Sequence, residues 1–132
     1  MTERPRDRLG RPLPRDAAGY PGVPPREYLA GDDALAEARD YLAHGLPFHA
    51  HEVLEMRWRC CPTDERALWQ ALAQAAAGST HEARGNDVGA RRLRARAQAT
   101  ITAYEGPRTD GLDALLADLR LRPDESGPGS DG

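Results

Sequence analysis

Apolar residues recur along this chain at intervals of three and four, and Gly, Pro, Asn and Asp stand between the runs. That pattern predicts five helices and no strand. The first opens at Asp32 or Asp33, whose carboxylates suit a helix N-terminus, turns Leu35, Ala38, Tyr41 and Leu42 inward, and closes at His44-Gly45. His44 sits there as a favourable partner for the helix dipole. The second starts at Leu46-Pro47 and stops before Pro62. Thr63-Asp64-Glu65 begins a third, which runs to about Arg84 with Leu68, Leu72, Ala75 and Ala76 inside. Gly78 falls in its middle, where it costs up to about 1 kcal/mol against Ala, a cost that close approach of another backbone would explain. Gly85 and Asn86 leave almost no loop, so the third and fourth helices form an antiparallel hairpin. The fourth carries Ala90, Leu93, Ala97, Ile101 and Tyr104 inward and stops at Gly106-Pro107. The last starts near Asp110, buries Leu112, Leu115, Leu116 and Leu119, and ends around Arg120 and Arg122. The expected fold is an all-α compact bundle, built as one domain over residues 31–122.

The two ends break the pattern. Residues 1–30 hold Pro, Arg and Gly in a run that cannot continue a helix. They form an arm, either disordered or laid across the bundle on Leu9, Leu13, Tyr20 and Val23. Residues 123–132 are acidic and Gly/Ser-rich, and read as a disordered tail.

One stretch does not fit an ordinary amphipathic helix. At about 100° per residue, Phe48, His51, Glu55 and Trp58 share a narrow arc of the second helix, with Glu52 at its edge and His49 about 160° away, on the side expected to face water. The arc mixes large apolar groups with an imidazole and a carboxylate one turn apart, so it is expected to face inward, with Trp58 as a core anchor. Buried ionisable groups need partners. The third helix supplies them: Gln70, Gln74, Ala77 and His81 recur at spacings of four, three and four. Asn86 joins them as the cap of the next helix. The expected polar cluster is therefore His51, Glu52, Glu55, Trp58, Gln74, His81 and Asn86. If His51 is buried and charged there, His51→Ala should cost roughly 3 kcal/mol.

Composition narrows the function. The net charge is -3 and the basic residues, 18 in all, are Arg without a single Lys, which excludes a lysine nucleophile or Schiff base. No apolar run is long enough for a membrane span, and the N-terminus has no signal-peptide segment, so a cytoplasmic protein without a membrane partner is expected. Cys60 and Cys61 are adjacent and match neither a disulfide framework nor a Cys-x-x-Cys motif; they read as free thiols. No phosphate-binding Gly-rich loop and no Gly-x-Ser-x-Gly elbow is present.

The combined spacing resembles a known family of small bacterial and archaeal helical proteins, the domain of unknown function 309 family. The resemblance rests on Phe48, His51-Glu52, Glu55 and Trp58, then Gln74 and His81, then Gly85-Asn86 and Gly89-Ala90, and covers roughly residues 30–105. Gly10-Arg11-Pro12-Leu13-Pro14 looks like the N-terminal extension of actinobacterial members. Ala71 departs from the pattern, which has Gly there. The resemblance implies an all-helical fold with a shared polar centre and carries no activity with it.

Three chemistries compete for that centre. In the favoured one it is a hydrogen-bonding network that aligns the helices or holds a small-molecule ligand, since imidazoles and amides together donate and accept. In the second it is a divalent metal site, such as zinc, with His51, Glu55 and His81 as ligands and Glu52 as base of a hydrolase-like enzyme; Glu52 and His51 are then the catalytic candidates. In the third it is an RNA- or phosphate-binding module, using the N-terminus at Asn86 and Arg91, Arg92, Arg94 and Arg96, although Asp87 competes for that anion position. A nucleic-acid partner is disfavoured by the overall charge, and the Ala-rich helix faces suit a homodimer as readily as a monomer.

Overall fold

The computed structural model describes residues 4–123. The tail expected over 123–132 lies outside them from residue 124 onward. Five α-helices follow in order: α1 (Gly31–Ala43), α2 (Pro47–Cys60), α3 (Arg66–Ala83), α4 (Asp87–Ala103) and α5 (Leu112–Asp118), with a single 3-10 turn at Thr63–Glu65 leading into α3. No strand occurs among the described residues. The long α3 lies between α2 and α4, α1 packs on α2, and α5 closes the far side of α1.

The helix ends are set by local chemistry. At α1 the chain turns back through Gly45 at φ 71, with the Gly45 N–H on Leu42 O and the Leu46 N–H on Tyr41 O. Gly85 repeats this after α3, its N–H reaching Glu82 O while the Asn86 N–H reaches His81 O. Both are Schellman closures, which satisfy carbonyls a helix end leaves orphaned. Leucine periodicity carries α5 past Leu119 on paper, but Arg120 adopts φ 62 and the Leu121 N–H returns to Leu116 O. The helix therefore ends before the arginines.

The core is small-residue and leucine-rich. Leu54, Leu68, Leu72, Ile101, Leu115, Leu116 and Leu119 are fully enclosed, with Ala34, Ala38, Ala50, Ala75, Ala76 and Ala97 letting the helices approach. A Cβ on Gly78 would lie 3.2 Å from Ala90 O, the close approach of α3 and α4 that a glycine in mid-helix implied.

The inward face of α2 differs from the expected one by a single residue step. Ala50, Val53, Leu54 and Arg57 point into the core, while Phe48, His51, Glu55 and Trp58 flank it half-buried. Arg57 hid the real stripe. It is 6% exposed because its guanidinium donates from Nη1 to Leu29 O at 3.2 Å, pairs with Glu65 at 3.2 Å and lies 5.3 Å over the Trp69 ring. Trp69, fully buried with its Nε1–H on Glu65 Oε1 at 2.9 Å, is the core tryptophan; Trp58 is not.

The arm is ordered across the bundle. A turn over Asp7–Gly10 is held by the Asp7 carboxylate, which accepts from the Leu9 and Arg11 N–H groups, and Arg6 bridges to Pro12. Leu9 is buried, and Arg84 donates to its carbonyl while Arg8 donates to Gly45 O at 2.8 Å. His49, expected to face water, is instead 4% exposed. The arm covers it: its Nε2 donates to Pro21 O at 2.7 Å and the rings of Tyr20, Tyr41 and Phe48 surround it. Helical phase alone could not report burial by a distant segment.

Candidate functional site

The polar residues of α2 and α3 meet in a groove rather than in a sealed interior. His51, Glu55 and Trp58 from α2 face Gln70, Ala73, Gln74 and Ala77 from α3, with Leu93 of α4 closing one side around a volume of about 180 Å³. Spacing does this directly: three and four residues return a helix to the same face, and antiparallel α2 and α3 bring the two faces together.

His51 lies between two carboxylates. Its Nε2 is 3.6 Å from Glu55 and its Nδ1 4.0 Å from Glu52, so each nitrogen looks at a different acid. The imidazole side chain is 22% exposed, against 35% for Glu55 and 40% for Glu52. The fully buried, charged centre read from the sequence is therefore corrected to a half-open one. Water reaches these groups, so they do not carry the penalty of complete burial. Arg59 pairs with Glu55 at 3.3 Å, and the Arg66 guanidinium stacks 4.6 Å from the Trp58 ring. The side-chain amides of Gln70 and Gln74 make no hydrogen bond to another described residue.

His81 and Asn86 form a separate pair. Asn86 Oδ1 accepts from the Gly89 N–H at 3.0 Å as the cap of α4. Its Nδ2 must then donate to His81 Nδ1 at 3.0 Å, which places the imidazole proton of a neutral His81 on Nε2. His81 stands one turn beyond Ala77, past the groove lining. Among the described residues, the one group of potential metal donors is His51, Glu52 and Glu55, whose ligand atoms lie within 4.8 Å of one another. Of the three ligands expected for a metal, His51 and Glu55 lie in this group and His81 does not.

Sequence reasoning passed over two polar centres. The Arg57-Glu65-Trp69 cluster shows no motif, and a lone arginine on a helix carries no signal of burial. His49 carried a signal only in hindsight, as an imidazole beside Phe48 with an arm rich in Tyr and Pro near by.

Compared with known proteins, residues 35–93 match a family described as Domain of unknown function (DUF309), and this part of the chain belongs to it. The matched stretch ends at Leu93, so it contains every residue that lines the groove. No curated protein and no solved structure matches the chain.

Proposed function

We propose that this member of the DUF309 family uses the groove between α2 and α3 to bind a small polar ligand bearing hydrogen-bond donors, such as an amine or amide. What carries the reading is the convergence of an imidazole, a carboxylate and two amides without internal partners on one half-open groove. A structural network would bond those amides to neighbours inside the protein, whereas Gln70 is exposed and Gln74 half-buried, so both are open to an incoming group. At about 180 Å³ the space suits a ligand displacing roughly six waters. The Glu55 carboxylate lines the groove with acceptor oxygens, which favours donors over anions. His51 between two carboxylates can also hand a proton to a bound group or take one from it.

A fragment screen with small amines, amides and carboxylates, read by amide and Trp58 indole shifts in ¹⁵N NMR spectra, tests this. Donor-bearing fragments should move His51, Glu55, Gln74 and Trp58, and His51→Ala should abolish the effect. A library that leaves those signals in place removes the reading.

The second reading is a divalent metal, favoured by His51, Glu52 and Glu55 lying within 4.8 Å of one another. Against it, the two imidazole nitrogens face different carboxylates, whereas one ion takes one nitrogen. Elemental analysis of protein purified without chelator, with zinc-dependent melting as a second measure, separates the two: stoichiometric metal supports the metal site, and none with an unchanged Tm removes it.

A further inference from the structure

A second cavity lies between the arm and α2, its Glu52 wall 4.0 Å from His51 of the groove. Its volume is about 490 Å³, within the range of small-molecule sites, and Arg4, Arg6, Tyr20, Phe48, His49 and Glu52 form most of its wall. We propose that this cleft binds a small anion carrying a planar ring.

Charge is the first support. Arg4 uses its Nε on Leu13 O at 3.1 Å and Arg6 its Nη1 on Gly10 O at 2.7 Å. Neither guanidinium meets a carboxylate among the described residues, and beyond these bonds and the stacking of Arg6 on Phe48 the forks make no further hydrogen bond there. Asp7, the nearby acid on the arm, is already spent. Its oxygens accept from the Leu9 and Arg11 N–H groups at 2.9 Å each and from Arg11 Nε at 2.8 Å. Burial alone would push its carboxyl up, but those hydrogen bonds outweigh it and hold it below the usual range. Glu52, from the helix side, is the remaining acid, which orients an anionic head toward the arm. Guanidinium forks suit carboxylate and phosphate oxygens, and paired forks hold them in a fixed geometry.

Shape is the second. Tyr20, 45% exposed, offers a flat wall to a ring, while Arg6 already lies 5.9 Å over the Phe48 ring and Gly22 leaves the mouth open. The arm cannot simply collapse into the space. It is tied at Pro21 O by His49, at Leu9 O by Arg84 and at Gly45 O by Arg8.

The test titrates the full chain with phenyl phosphate, benzoate and inorganic phosphate, reading amide shifts and binding heats. Phenyl phosphate or benzoate should move Tyr20, Gly22 and His49, with Arg4→Gln and Arg6→Gln each weakening binding about tenfold, the loss of one charge-assisted contact. Glu52→Gln should leave binding intact or strengthen it. Because Arg6→Gln could unseat the arm, Arg8→Gln is the control: it loosens the arm at Gly45 without lining the cleft and should retain binding. The proposal is overturned if neither aryl probe moves these residues at about 10 mM, weaker than any useful site. It is equally overturned if the probes move Gln74 and Leu93 instead, if Arg8→Gln weakens binding as much as Arg4→Gln, or if inorganic phosphate binds as well as phenyl phosphate.

Discussion

Replacing Glu65 with Ala strikes the one carboxylate that holds two buried groups. Its Oε1 accepts from Arg57 Nη2 at 3.2 Å and from Trp69 Nε1 at 2.9 Å, and the pair's side chains are 14% and 8% exposed. Removing one partner of a buried ion pair costs about 3–5 kcal/mol, because the other charge stays behind without compensation. The indole N–H is orphaned at the same time, a penalty of about 1–3 kcal/mol that overlaps with the first. Arg57 retains its bond to Leu29 O and its place over the Trp69 ring, which limits the total. The expected loss for Glu65→Ala is therefore about 4 kcal/mol. At about 3–5 °C per kcal/mol for a chain of this size, Tm should fall by about 15 °C. Glu65→Gln keeps an oxygen for both donors and removes only the charge, so it should cost about half as much. Urea titration of the three proteins provides the free energies. Should Glu65→Ala cost under about 1 kcal/mol, or Glu65→Gln cost nothing, the buried charge is not what this cluster neutralises.

Other expectations follow from the same contacts. His49→Ala removes the hydrogen bond to Pro21 O and the ring packing, so it should cost about 2 kcal/mol and free the arm; trypsin should then cut at Arg15 or Arg26 faster, and unchanged cleavage would mean the arm is held elsewhere. His51→Ala should cost only about 0.5–1 kcal/mol in urea titration, since its ionic contacts are partly open to water; a loss near 3 kcal/mol would restore the fully buried reading. On acidification, Glu37 and Glu82 contribute to the slope beside Asp7. The Arg26 guanidinium on Glu37, and Arg94 followed by Arg120 on Glu82, hold these carboxyls below the usual range. A group with a depressed folded value stabilises above its unfolded value and loses that contribution as pH falls through the folded one. Stability should thus decline below about pH 4.3, the ordinary Glu value, and Glu37→Gln with Glu82→Gln should flatten the decline in acid titration followed by circular dichroism.

The helices were legible because each ends on chemistry that a sequence displays. Gly45, Gly85 and the Asn86 cap stand where the chain reverses, and the leucine and alanine stripes of α1, α3, α4 and α5 face inward as their period requires. Legibility failed on α2, where a long cation occupies a core position. Periodicity scores Arg57 as polar and shifts the apparent inward face to the arc of Phe48, His51, Glu55 and Trp58. The pairing that permits Arg57 inside lies in Glu65 and in the backbone of Leu29, neither of which a helical wheel contains. For the site, spacing puts His51, Glu55 and Trp58 on one face of α2 and Gln74 on a face of α3, and these four residues line one groove. It could not tell a groove from a closed core, nor separate His81, because both depend on how far α4 covers the seam. His49 was misplaced for a related reason: its cover comes from Tyr20 and Pro21, nearly thirty residues upstream of it.

The central claim is that the groove's polar side chains are held for a ligand and not for folding. Urea denaturation of the Gln70→Ala/Gln74→Ala double variant tests it most directly. With neither amide bonded inside the protein, the midpoint and slope should match the parent to within about 0.5 kcal/mol, as for substitutions that touch no buried feature. A loss of about 2 kcal/mol or more would contradict the account and return these residues to a structural network.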